Sequence, residues 1–267
     1  MSKIRFSRKN LSIPYAIFLL LFVVLPLLLI VYYAITDSEG SLSLNNLIGF
    51  FQDKNKLGLL SFSVIIGLAN TILCLLIGYP VAMILSNKKY NKNFVIVLLF
   101  IMPMWINFVL RTAATRDLLY WLGINGGENP ILATMIGMVY NYLPFTILPL
   151  YTTMIKMDKN LIEASYDLGA RPHQTFFKTI IPMTMPGIVS AATMVFMPTM
   201  CSYVITDVFS NQKLQIMGNL INQYFGASQW NYGSAASIVL LLILFGLMRL
   251  TNASNNKSQD KKAGDKV

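Results

Sequence analysis

The chain has 267 residues, of which 55% are apolar and only 12% charged, about half the charged share of roughly 25% in soluble domains. That balance excludes one or two ordinary soluble domains and fits an all-α, polytopic membrane protein. The net charge of +10 would suit a nucleic-acid partner, but the basic residues are scattered among apolar runs and form no single stripe, so none is expected.

Two cysteines, Cys74 and Cys201, stand alone in apolar stretches. No disulfide framework or metal-ligand spacing exists, and both are expected to pack as small side chains. The single histidine, His173, lies in a polar loop, which makes it a surface residue rather than a catalyst. With no HExxH pair and no GxxxxGK[ST] loop, the chain lacks its own phosphate-cradling loop, and neither a metal nor a cofactor is expected. Any ATP that drives this chain must be hydrolysed by another subunit.

In chain order, residues 1–10 form a basic N-terminus, followed by a first span over about 11–35. It is too long for a signal-peptide core and lacks a small-residue cleavage pattern, so it is expected to stay uncleaved. Pro14 and Pro26 can kink it. Loop one, 36–58, carries Asp37, Glu39, Asp53, Lys54 and Lys56 with apolar residues enough for a short helix. Span two, about 59–86, contains Asn70 and a Gly78-Tyr79-Pro80 break. Span three, about 94–112, carries Pro103, Trp105 and Asn107. Residues 111–122 after it suit an interfacial helix, with Arg111 snorkelling to the outer interface and Arg116 pairing with Asp117. Span four covers about 131–155, broken by Pro144 and Pro149. A polar loop at 156–179 leads into span five, about 180–206. A second outer loop follows, then span six at about 234–250, barely long enough to cross. Residues 252–267 form a lysine-rich tail expected to be disordered.

Six spans put both termini on one side. Sixteen Lys and Arg fall on that side and five (Lys54, Lys56, Arg111, Arg116 and Lys213) on the other. This positive-inside bias places the termini and the 156–179 loop in the cytoplasm, leaves the spans in contact with membrane lipid, and accounts for the excess positive charge.

The 156–179 loop organises the chain. Asp158 or Asn160 can cap a first short helix, Gly169 permits the backbone angle that ends it, and Pro172 suits the first turn of a second. Leu161, Ile162 and Leu168 give the first helix an apolar stripe, and Phe176 with Phe177 crown the second. A compact, half-apolar loop between spans is expected to dock a partner rather than to be an ordinary amphipathic loop. Glu163-Ala164-Ser165, Asp167, Gly169-Ala170, Phe176 and the closing Ile180-Ile181-Pro182 resemble the "EAA" loop of bacterial ABC importer permeases. Ser165 stands where that family usually has alanine, and Ile181 where leucine is usual. Further matches are Pro103-Met104-Trp105 with Arg111-Thr112, Tyr142-Leu143-Pro144-Phe145, Pro149-Leu150-Tyr151 and Pro182-Met183-Thr184-Met185-Pro186-Gly187. With Tyr203…Asp207 they are similar to the spermidine/putrescine branch, in particular its first permease subunit. Thr115-Arg116-Asp117 and the short span six depart from that pattern.

The resemblance implies a type I importer permease fold and a solute moved by alternating access. Its implied partners are an ABC ATPase dimer, a second homologous permease and an extracellular or periplasmic solute-binding protein. A solute path needs polar or aromatic groups at membrane depth. The candidates are Asn70, Trp105, Asn107, Asn141, Ser202, Tyr203 and Asp207, with Arg111 too unless it snorkels, although asparagines in a bundle equally serve helix–helix hydrogen bonds. Acidic outer loops suit a polyamine but also follow from the charge bias, so another small solute stays open. A secondary transporter or channel would show inverted repeats and mid-span carboxylates, and a membrane enzyme clustered acid groups; neither pattern is present.

Overall fold

The computed structural model describes residues 8–37, 40–87 and 94–264, with side chains over 13–37, 40–87 and 94–249. Glu39 and the basic residues Lys3, Arg5, Lys88, Lys89, Lys92 and Lys266 lie outside the described residues. Among the described residues the regular elements are helical, apart from one isolated antiparallel bridge between Thr36 and Leu42. Helices satisfy every backbone donor and acceptor within their own segment, as hydrocarbon demands. Contacts divide the chain into two compact units, and the division falls inside helices α4, α12 and α13.

The first unit takes the described residues up to Gly58 together with Leu220–Ile243. Helix α1 (Arg8–Leu19) passes through a π turn at Leu20–Val24 into α2 (Leu25–Ala34). Its apolar stretch Ile13–Ala34 reaches a mean hydropathy of 2.9 over 18 residues, none of them buried. A helix apolar on all sides needs lipid or another helix around it. Loop one turns back on itself through Asp37 N donating to Ser41 O (2.9 Å), and it holds the expected short helix, α3 (Asn45–Gln52). The Thr36 carbonyl accepts from the side-chain amides of both Asn46 (2.9 Å) and Asn231 (2.6 Å). Asp53 caps α4 (Lys54–Ser86) by accepting from Asn55 N at 2.9 Å, so span two begins in helix five residues before the expected Leu59.

The second unit takes Leu59–Asn219 and the residues from Leu244 onward. After α4 come α5 (Val95–Ile101), a 3-10 turn at Met102–Trp105 and α6 (Phe108–Trp121). They are followed by α7 (Pro130–Met154), α8 (Asn160–Asp167), α9 (Pro172–Thr175), a π turn at Phe176–Ile180 and α10 (Ile181–Cys201). Helices α11 (Tyr203–Ser210), α12 (Met217–Gly226) and α13 (Trp230–Gly264) complete the chain.

Several expected boundaries move. Span three is not one helix through 112. Val95–Trp105 and Phe108–Trp121 meet at a bend of 100°, made where Pro103 ends the first helix and Asn107 caps the second by accepting from Val109 N and Leu110 N. Gly78-Tyr79-Pro80, Pro144 and Pro149, by contrast, break nothing and sit inside continuous α4 and α7. Span five is helical from Pro172 to Cys201 and stops there, so Tyr203 and Asp207 fall on the separate α11. The last membrane-length stretch is Trp230–Arg249, and its helix continues to Gly264 through the segment expected to be disordered. No proline or glycine interrupts that segment before Gly264.

The core of the second unit forms where α7 and α10 pack together. Met138, Tyr142, Val195, Ile205 and Phe209 are buried in one cluster with Ile66 and Cys74. Cys201, expected to pack like Cys74, is exposed instead. Gly137 lets α7 approach α11 closely, because a Cβ there would lie 2.4 Å from the Phe209 ring. Gly137→Val is therefore expected to cost about 1–3 kcal/mol through overpacking, read as a lowered unfolding temperature in detergent. Gly246→Val, where an added Cβ meets open space, serves as the control and should leave that temperature unchanged.

Candidate functional sites: the helical loop and the buried polar groups

The loop folds as two short helices about a glycine turn. Asp158 Oδ1 accepts from Asn160 N at 3.0 Å to start α8. The end of α8 is a Schellman turn: Gly169 N donates to Tyr166 O (2.8 Å) and Ala170 N to Ser165 O (3.1 Å), with Gly169 at φ 77°. Arg171 N then donates to the Gln174 side chain at 3.0 Å, and Pro172 opens α9. A hydroxyl pair locks the two helices, Ser165 Oγ lying 3.0 Å from the fully buried Thr175 Oγ1. Alanine, usual in the similar loops at position 165, could not make that bond.

This turn presents apolar side chains to the outside. Leu168 is 88% exposed, Phe177 64% and Leu161 51%. Ile162, expected on the same stripe, is half-buried, while Glu163, Ala164, Asp167, Gly169 and His173 are exposed and Ala170 half-buried. Beneath the loop a cavity of about 240 Å³ lies between Met83, Ser86 and Asn87 at the end of α4 and Lys159, Ile162 and Glu163.

The loop is tied to the bundle through Phe176. Its ring meets Tyr79 edge-on at 5.7 Å, and the Tyr79 hydroxyl lies 2.9 Å from Thr184 Oγ1. From Pro172 the helix runs through the π turn and Pro182 to Cys201 without interruption. π turns of this kind recur at functional sites.

The candidate path residues separate into three groups. Asn70 and Asn141 are fully buried, and both hold helices together. Asn70 Nδ2 donates to Thr199 Oγ1 at 2.8 Å, joining α4 to α10. Asn141 accepts from Arg111 Nε at 3.0 Å and donates to Gly137 O at 2.8 Å. Arg111 thus does not snorkel. It is 7% exposed, and its second donor reaches Pro103 O, so one guanidinium spans the bend and pins it to α7. Burying a cation costs heavily unless its donors are satisfied, and here backbone and amide oxygens serve.

Trp105 and Asn107 lie at the bend, Trp105 78% exposed and Asn107 occupied as the cap of α6. Ser202, Tyr203 and Asp207 gather after the end of α10. Ser202 is the buried break between α10 and α11, and Tyr203 is partly exposed. Asp207 Oδ1 accepts from Asn219 Nδ2 at 2.6 Å. Burial pushes the Asp207 carboxyl above its ordinary value, and the Asn219 hydrogen bond pulls it back. Arg116 and Asp117 form an exposed pair at 2.6 Å, as their adjacency predicts. Sequence reasoning missed Asn219, Thr199, Tyr79 and Thr184 as partners, since a lone polar residue in an apolar run gives no sign of what it faces across the bundle.

A family profile described as "Binding-protein-dependent transport system inner membrane component" matches residues 5–257. The spermidine/putrescine transport system permease protein PotB of Haemophilus influenzae is 31% identical, over 95% of this chain and 96% of its own. PotB of Escherichia coli (strain K12) is 32% identical, over 91% of this chain and 96% of its own. Among solved structures, a bacterial ABC transporter that imports the acidic polysaccharide alginate has a similar chain. The TM-score is 0.65 at 14% identity, covering 93% of this chain and 94% of that one, a likeness of fold. The chain belongs to the inner membrane components of binding-protein-dependent transport systems, and it is an ABC importer permease rather than an enzyme.

Proposed function

We propose that this permease imports polyamines, spermidine or putrescine, and that a separate ATPase dimer drives it through the 156–179 loop. The observation that carries the substrate is the likeness to spermidine/putrescine permeases at 31–33% identity over more than nine-tenths of the chain. The loop geometry supports the drive. Glu163, Ala164, Ser165, Asp167, Gly169, Ala170, Phe176 and Pro182 belong to a rigid helical corner with Leu161, Leu168 and Phe177 exposed, and that corner is continuous with α10. A load on the corner would be carried along that helix as a nearly rigid displacement.

In this reading the termini and the loop are cytoplasmic, as the sixteen-to-five charge bias supports. A second homologous permease completes the solute path, and a solute-binding protein delivers cargo on the outer side. ATP and the loaded binding protein each favour one of two bundle states, which gives alternating access. Along the path, Trp105 and Tyr203 offer ring faces and Asp207 a carboxylate to a polycation. Asn70 and Asn141 act there as the hydrogen-bonded pins that keep the path walls in register, and Ser202 and Asn107 shape its corners.

Gly169→Leu tests the drive. At φ 77° a branched side chain is strained, so the corner should deform. Uptake is expected to be lost and the ATPase to stop co-purifying, with the permease still inserted in the membrane; normal transport by this variant overturns the docking role. Putrescine and spermidine tested against choline and sulfate decide the substrate. With loaded binding protein, the reconstituted complex should hydrolyse ATP faster only for the polyamines, and equal stimulation by choline would contradict that assignment.

A further inference from the structure

Helix α4 begins in the first unit, and on its first turn Lys56 points into a small aromatic corner. Its Nζ lies 5.8 Å from the centroid of the Tyr224 ring and 5.7 Å from that of Tyr232. The two rings are 5.9 Å apart and inclined at 32°. Asp53 Oδ2 lies 3.6 Å from the same ammonium. Both ring distances fall within the range of about 6 Å in which a cation is drawn to an aromatic face.

The corner is built rather than accidental. Asp53 is held by its capping bond from Asn55 N, so its free oxygen is aimed at Lys56. Tyr224 and Tyr232 come from α12 and α13, joined by a turn in which Gln229 N donates to Tyr224 O at 2.8 Å and Ser228 N to Phe225 O at 3.1 Å. Phe225 and Trp230, from the same two helices, form a tilted pair with ring centroids 5.6 Å apart. The Lys56 side chain retains 20% of its exposure and Asp53 37%, so water reaches the ammonium, which can leave without any helix unfolding.

A lysine side chain is four methylenes ending in a primary ammonium. Putrescine is the same four-carbon chain with such a group at each end, and spermidine carries it as its aminobutyl arm. Two tyrosine faces and one carboxylate are the chemistry that recognises this head. We propose that Asp53, Tyr224 and Tyr232 form a site for the terminal primary ammonium of a polyamine, occupied by Lys56 as a tethered surrogate until substrate displaces it. The assignment rests on the polyamine reading and on the topology that places loop one and the segment between spans five and six on the outer side. A partly exposed cation–π contact and an ion pair one turn apart hold the surrogate weakly, so a free polyvalent amine can compete. The tether makes Lys56 an internal competitor at an effective concentration on the order of millimolar.

The test uses the complete importer with its partners. Lys56→Met removes the competitor and should lower the KM for putrescine uptake about threefold to tenfold with the maximal rate little changed. Adding Tyr224→Leu or Tyr232→Leu to that variant should cancel the gain. A second measurement needs no variant: in intact cells a membrane-impermeant amine-acylating ester should label Lys56 relative to the exposed Lys54 more when putrescine is present than in sodium chloride of equal ionic strength, a ratio that ester consumed by putrescine itself leaves unchanged. A KM unchanged or raised in Lys56→Met, or Lys56 labelling that does not rise with putrescine, overturns the site. Labelling that rises while the wild type imports neither polyamine would keep the site and overturn the substrate reading instead.

Discussion

The helix that runs unbroken from Pro172 to Cys201 is the constraint on which the rest of this permease depends. Its first turns belong to the exposed loop and its remainder to the bundle, so no flexible joint separates the two. A π turn at Phe176–Ile180 lies within the helix without interrupting it. Phe176 on Tyr79, and Tyr79 on Thr184, brace that turn against α4. The Schellman turn at Gly169 and the Ser165–Thr175 hydroxyl pair make the loop itself a rigid corner. Stiffness from end to end is what the proposed drive by a separate ATPase requires.

Lipid offers no hydrophobic drive between helices, so the bundle is registered by close approach and by buried hydrogen bonds. Gly137 against Phe209 exemplifies the first. Asn70 with Thr199, and Arg111 with Asn141 and Pro103, exemplify the second. Each buried polar group is costly if left without a partner, so these bonds select one packing of helices over neighbouring ones. The Arg111 clasp is the most demanding, because it stabilises a bend of 100° in what would otherwise be a single crossing.

The spans were legible in the sequence because each needs a long apolar run, and the loop because Gly169 and Pro172 have positional meaning. The bend at Pro103 was not. Prolines at 80, 144, 149, 186 and 198 look the same along the chain, yet these five sit within continuous helices. What distinguishes Pro103 is the cap supplied by Asn107 and the arginine that takes up its carbonyl, and that arginine is held by Asn141 on α7. Arg111 read as an interfacial residue for the same reason: its partner Asn141 lies thirty positions away. The ammonium corner was equally hidden, since Lys56 and Tyr224 are adjacent only after folding.

In the proposed function this chain is a driven part, moved by an ATPase on a separate subunit. The most direct measurement is putrescine uptake into sealed proteoliposomes holding the two permeases and the binding protein, with and without the ATPase and ATP on the loop side. The account predicts accumulation against a gradient only when ATPase and ATP are both present. Accumulation by the permeases unaided would contradict it.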